Sequence, residues 1–245
     1  VTASRDGSRV FARVVLVYGV GAVSVFVAFW AAWPTPLPWR FYATVVSVLA
    51  IGLVLCWVST TGHRSAASGR VTLATAITLT RGVVLASLAG FLVVGRPPGH
   101  LAWAVPALFA LAAGLDAVDG WVARATDAVT DLGGRLDAEM DGLTVLVGTA
   151  LAVSYGAAPL VFLAVGLARY AFVIGCWWRR RRGAPVGALP ANPFRRPLGA
   201  AAMAVCALAL VPAVDPRVPW LLALALTPPF LLNFAADYLS VCGRR

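Results

Sequence analysis

The run Asp116-Ala117-Val118-Asp119-Gly120-Trp121-Val122-Ala123-Arg124, followed by Gly133, Asp137 and Asp141, sets four carboxylates between two apolar stretches. Asp116 and Asp119 stand at i and i+3, and Asp137 and Asp141 at i and i+4, so each pair shares one face of a helix. The loop between them lets the two helices run antiparallel and brings all four carboxylates to one pocket. An ionisable group within a membrane span costs from ~2.5 kcal/mol upward at the helix centre, which marks such groups as functional. Converging carboxylates also repel one another unless something cationic holds them. The pattern therefore calls for a bundle of apolar helices with a cation site at one end.

The rest of the chain agrees with a membrane bundle. Of 245 residues, 60% are hydrophobic and only 12% charged, and the mean hydropathy is +0.85. Soluble domains carry about 25% charge, and one soluble core could not hide this much apolar surface. Apolar runs of about twenty residues predict eight helical spans, at roughly 12–33, 41–60, 73–95, 101–123, 138–154, 157–178, 198–213 and 218–240. Helices are expected because a lone strand leaves its backbone unsatisfied in lipid. Breaker-rich turns separate the spans at Trp33-Pro34-Thr35-Pro36, at Arg96-Pro97-Pro98-Gly99, and at Val211-Pro212 with Asp215-Pro216. The fold class expected is thus all-α, a polytopic transmembrane bundle of about eight spans. Arg5, Arg9 and Arg13 precede an apolar stretch longer than the ~7–15 residues of a cleavable signal, so a retained first span is expected.

All twenty basic residues are arginine, against ten acids. Such a balance fits nucleic acid in a soluble protein, but here the arginines occupy short gaps between apolar runs. That distribution reads as topology and contact with anionic headgroups, and nucleic acid is not an expected partner. With both termini cytoplasmic, seventeen arginines fall on the cytoplasmic side and only Arg40, Arg96 and Arg217 on the other. Seven of the ten acids lie between positions 116 and 141, which puts the candidate active site on the cytoplasmic side as well. Cys56, Cys176, Cys206 and Cys242 lack metal-like spacing and read as small core residues.

Four carboxylates without a histidine or cysteine cluster make an all-oxygen site for a hard cation. Mg2+ or Mn2+ is the expected occupant, and the charge has room for two ions. Gly120 and Gly133 remove side chains where helices or a phosphate come close. Arg124, at i+5 from Asp119, is placed to contact a phosphate or a carboxylate.

The spacing D-x2-D-G-x2-A-R-x8-G-x3-D-x3-D, complete here at all eight fixed positions, resembles the signature of the CDP-alcohol phosphatidyltransferase family. The resemblance implies a six-helix catalytic core over 71–245, preceded by an extension of two transmembrane helices over 1–70, and a homodimer. It implies that Asp116, Asp119 and Asp137 ligate metal, and that Asp141 acts as general base while also touching a metal. Gly120, Ala123 and Arg124 resemble positions that receive the CDP moiety, with Gly133 allowing close approach. Thr78-Leu79-Thr80-Arg81 resembles the family's T-x-x-R, which adds Thr78 and Arg81 to the nucleotide contacts. That stretch usually has Asn three residues before the threonine, where this chain has Thr75. The implied reaction moves a phospho-alcohol, such as the phosphatidyl group of CDP-diacylglycerol, to a hydroxyl acceptor and releases CMP.

Arg169, inside its span, needs an anionic partner and, with Arg195 and Arg196, is a candidate for a phosphorylated acceptor. Arg179 to Arg182 follow Trp177-Trp178, as expected of an interfacial aromatic belt. Asp127, Asp131 and Glu139 match no fixed position and read as solvated loop acids, while His63 and His100 are isolated on opposite faces. Asp237 lies within the last span, where pairing with an arginine is open to it, though the sequence names no particular partner. The alternative from another class is an ion- or proton-coupled transporter, which would line a pathway with polar residues at several depths. Here the acids gather at one side.

Overall fold

The computed structural model describes residues 2–33, 37–61, 73–125 and 131–243, and among these the regular structure is all helical, with no strand. Eight α-helices follow in order: α1 (Thr2–Ala32), α2 (Trp39–Thr61), α3 (Leu73–Val94), α4 (Ala104–Ala125), α5 (Asp131–Ser154), α6 (Leu163–Arg181), α7 (Arg195–Leu210) and α8 (Arg217–Val241). Helices α4, α7 and α8 each carry proline as their third residue, namely Pro106, Pro197 and Pro219. The first turn of a helix has no intrahelical use for that N–H, so proline starts these helices without breaking them. Only α8 continues through an internal pair, Pro228 and Pro229.

Among the described residues, four helical segments are long and apolar enough to cross a membrane: Ala76–Val94, Gly99–Val122, Leu160–Arg181 and Arg217–Val241. Helices α1 and α2 contribute shorter apolar stretches, Val15–Ala31 and Trp39–Val54. The two remaining expected spans differ for separate reasons. Helix α5 starts at Asp131, seven residues ahead of the expected apolar run, and takes Asp137, Glu139 and Asp141 into its own length. Helix α7 has 16 residues, about 24 Å of rise against a hydrocarbon core of about 30 Å. The expected 157–178 span also starts late. Gly156, at φ 71°, ends α5, with Ala157 N–H closing on Ala152 O at 2.9 Å, and a short 3-10 turn at Leu160–Phe162 precedes α6.

The chain divides into two compact units, 1–141 and 142–245. In the first, α3 is the central helix. Every residue from Arg81 to Phe91 is buried, and 72% of its membrane-length window is covered, against 22% in each of the other three. Helices α1, α2 and α4 all pack on it. Close approach is made by large side chains entering glycine notches. A Cβ on Gly90 would lie 2.5 Å from the Phe41 ring, and one on Gly21 would lie 2.9 Å from Val83. Tyr18, buried, reaches from α1 into a notch between Gly52 on α2 and Gly82 on α3. Small-residue contacts of this kind suit membrane helices, where packing replaces the hydrophobic drive. Phe29, Phe41 and Phe91 meet edge-on or tilted at 5.2–5.8 Å and close the far end of the same three helices.

In the second unit, α5 and α6 cross so closely that a Cβ on Gly166 would meet the backbone of Leu146 at 2.9 Å. Helices α6 and α7 both pack on α8. Cys176, Cys206 and Cys242 are buried free thiols, as expected of core residues. Outward-facing apolar side chains are abundant: Trp30, Trp39, Leu160 and Leu232 are each 70% or more exposed. A polytopic helix bundle built to be solvated by lipid has this surface.

Candidate active site

Helices α3 and α4 and the part of α5 up to Asp141, all in the first unit, supply the site. Asp116 and Asp119 lie on the last turns of α4, and Asp137 and Asp141 on the first half of α5. Carboxylate oxygens of Asp116, Asp119 and Asp137 come within 4.8 Å of one another, so three of the four expected acids form one cluster. The fourth is joined to it through Arg81. That guanidinium pairs through Nη1 with Asp116 and with Asp137 Oδ1 (3.2 Å), and through Nη2 with Asp141 Oδ1 (2.7 Å). Nη2 also donates to the Asp137 carbonyl at 3.4 Å. The side chain of Arg81 is 1% exposed, while those of Asp116, Asp137 and Asp141 are 37%, 44% and 47% exposed. One wall of the cluster is therefore a buried cation and the other is open.

Asp119 is the buried acid, and Thr78 Oγ1 donates to its Oδ2 at 2.7 Å. Thr78 and Arg81 are one helical turn apart on α3, so this single turn orients all four carboxylates. For Asp137, which precedes the apolar part of α5, burial raises the carboxyl above its ordinary value and the Arg81 charge draws it back.

Four carboxylates against one guanidinium leave an excess of three negative charges on a half-open cluster of oxygen donors. That donor set fits a hard divalent cation, and its charge accommodates more than one. Asp116, Asp119 and Asp137 present the ligand atoms.

The other expected site residues are placed as follows. Gly120 follows Asp119 on α4. Ala123, Arg124 and Gly133 belong to the backbones of α4 and α5, but their side-chain positions lie outside the described residues, as does the side chain of Thr75. Asp127 and His63 lie outside them altogether. In the second unit, Arg169 on α6 lies with its stem against Gly142, the residue that follows Asp141. Arg196 is exposed at the start of α7. Arg195 is engaged: its Nε meets Asp237 Oδ2 at 3.1 Å and its Nη2 donates to the Pro190 carbonyl at 3.1 Å.

Two features escape the sequence reading. Asp237 has partners after all, since Asn192 Nδ2 donates to its Oδ1 at 2.9 Å and to Asn233 Oδ1 at 2.8 Å, beside the Arg195 pair. The i, i+4 spacing of Asn233 and Asp237 on one face of α8 was the available signal. The second is the role of Arg81 as organiser of the carboxylates. Its signs in sequence are a charge inside an apolar helix and its place in Thr78-Leu79-Thr80-Arg81.

The family model described as CDP-alcohol phosphatidyltransferase matches residues 71–229. No curated protein and no solved structure matches the chain. The matched stretch contains Thr78, Arg81 and all four aspartates. A transporter is not favoured: the matched family is one of transferases, and the acids converge on one cluster.

Proposed function

The chain belongs to the CDP-alcohol phosphatidyltransferase family, and from that premise we propose that it moves a phosphatidyl group from CDP-diacylglycerol to a hydroxyl acceptor, releasing CMP. Membership carries the general reaction, transfer of a phospho-alcohol from a CDP-alcohol, and a place in the membrane. The observation that supports the finer reading is the convergence of Asp116, Asp119 and Asp137 within 4.8 Å, with Asp141 tied beside them through Arg81.

Asp116, Asp119 and Asp137 would hold Mg2+ or Mn2+, in a cluster whose charge accommodates two ions. A divalent cation bound there supplies charge compensation for the pyrophosphate and acidifies a nearby hydroxyl. Thr78 and Arg81 hold the carboxylates in register, and together with Gly120, Ala123, Arg124 and Gly133 they form the proposed bed for the CDP moiety. Asp141, half-exposed beside the cluster, is the proposed acceptor of the hydroxyl proton as the oxygen attacks the phosphorus remote from cytidine. The CMP phosphate leaves as that bond forms. Arg169 is the proposed contact for a phosphorylated acceptor, with the exposed Arg196 at the start of α7 to join it.

In this reading residues 1–70 form an extension of two transmembrane helices and residues 71–245 the catalytic core. Both termini and the site face the cytoplasm, so that nucleotide enters from water and lipid from the side. The working unit is a homodimer.

CMP release by the purified protein in detergent tests this directly. With Mg2+ or Mn2+, CDP-diacylglycerol and a panel of alcohols, release should depend on one acceptor and stop on adding chelator. Release from a soluble CDP-alcohol instead would reassign the donor. Chelator-insensitive release would remove the cation from the mechanism.

A further inference from the structure

Three arginines end α6 and a fourth, Arg182, caps it, and the four do not share one fate. Arg179 Nη2 donates to the Cys242 carbonyl at 3.3 Å and to the Pro185 carbonyl at 3.4 Å, tying α6 to the end of α8. The Arg181 guanidinium lies over the Trp177 ring at 4.5 Å, and that of Arg182 over Trp178 at 4.6 Å. Arg180 has no hydrogen-bond acceptor, carboxylate or ring among the described residues.

Arg180 borders a groove of 430 Å³, whose other lining includes Phe172, Val173, Trp177, Leu189 and Val241. It is the one charged residue in that lining. The volume falls within the roughly 300–1,000 Å³ of ligand clefts. The groove is held in shape by the chain itself. Gly183, at φ 70°, turns the backbone at the end of α6, and Gly187 N–H then bonds Val241 O at 2.9 Å, fixing the 186–189 wall against α8. The nearby acid, Asp237, is already taken by Arg195 and Asn192.

We propose that this groove binds one anionic phospholipid, with an acyl chain along the apolar walls and the headgroup phosphate on Arg180. Its position argues for lipid. It lies where two apolar helices end, beside tryptophans of the kind that sit at headgroup level. Charge argues for an anionic headgroup. The two stacked guanidiniums rim the same end of α6, and arginines near a negative membrane surface are drawn to its anionic headgroups. A choline or ethanolamine headgroup would bring its own cation against three guanidiniums. The groove shares no residue with the carboxylate cluster, so occupancy requires neither nucleotide nor divalent cation.

Brominated lipids test this through quenching of tryptophan fluorescence, using the full chain in mixed micelles with chelator and no nucleotide. The Trp177 component is the difference between wild type and Trp177→Phe. Brominated phosphatidylglycerol should quench it at about a tenfold lower mole fraction than brominated phosphatidylcholine. Arg180→Gln, at an exposed position, should erase that preference. Gly187→Phe, which fills the groove without changing charge, should remove quenching of this component by both lipids. Equal quenching by the two lipids in wild type, or a preference that survives both variants, would overturn the proposal. So would quenching that vanishes as the protein is concentrated into dimers, which would assign the groove to a second copy of the chain.

Discussion

Arg81 Nη2 and Asp141 Oδ1 meet at 2.7 Å across sixty positions of sequence, and the same buried guanidinium also pairs with Asp116 and Asp137. Removing one partner of a buried ion pair costs about 3–5 kcal/mol, and less where the other partner reaches water. Since all three carboxylates are half-exposed, Arg81→Met is expected to lower stability by about 3 kcal/mol in chelator. Divalent cation should restore part of that loss by supplying the missing charge. Thermal unfolding of the purified protein with and without Mn2+ measures both. An Arg81→Met protein as stable as wild type in chelator would show that the guanidinium does not hold the cluster together.

Thr78 occupies one oxygen of Asp119 and so orients the other. Groups that orient metal ligands typically contribute 10–100-fold in metal affinity. Thr78→Val should weaken Mn2+ binding by about tenfold, and Thr78→Ser should keep it. Titration followed by the spin-resonance signal of free Mn2+ gives the affinities without any assay of turnover.

Asp141→Asn should abolish turnover, because an amide cannot accept the hydroxyl proton. It should leave cation-dependent binding of a CDP-alcohol largely intact, since Asp116, Asp119 and Asp137 make the cluster without it. Single-turnover CMP release beside equilibrium binding of the nucleotide separates the two effects. Wild-type-like release would remove Asp141 from the base role.

Arg169 and Arg195 should behave differently although both were expected at an acceptor phosphate. Arg169→Ala should raise the KM for a phosphorylated acceptor at least tenfold with little change for the donor. Arg195→Gln breaks its pair with Asp237, so its main effect should be a lower Tm. Equal changes in both substrates' KM for Arg169→Ala would return that residue to a packing role against Gly142.

A Cβ on Gly82 would lie 2.7 Å from the Tyr18 hydroxyl and 3.3 Å from Met140 Sδ. Gly82→Ala should therefore cost about 1–3 kcal/mol by overpacking. Tyr18→Phe removes the nearer of these atoms, so the double variant should recover much of the loss. Strict additivity of the two changes in Tm would mean that Tyr18 does not occupy this notch.

Much of this site is legible from spacing alone, because a helix converts i, i+3 and i, i+4 into a shared face without help from tertiary structure. That is why Asp116, Asp119 and Asp137 could be grouped before any coordinates, and why eight helices could be counted from apolar runs. Two kinds of feature were not legible. One depends on partners far apart in sequence: the Arg81 triad joins positions 35, 56 and 60 residues away, and periodicity carries no such information. The other is set by backbone geometry at helix ends. The Gly156 cap and the following 3-10 turn moved the start of α6 to Leu163, although the apolar run begins earlier. Hydropathy is blind to that boundary, since the residues of the turn are as apolar as those of the helix.

The cover over α3 also bears on the order in which the protein is made. When Arg81 leaves the ribosome, the carboxylates that will neutralise it have not been synthesised; the first is 35 residues behind and the last 60. A lone arginine entering a bilayer carries a penalty of about 2.5–3.5 kcal/mol on insertion scales. Helices α1 and α2 precede α3 in the chain, and Tyr18 and Phe41 pack against it at Gly82 and Gly90. Packing of α3 on α1 and α2 can thus precede neutralisation of Arg81, which waits for α4 and α5.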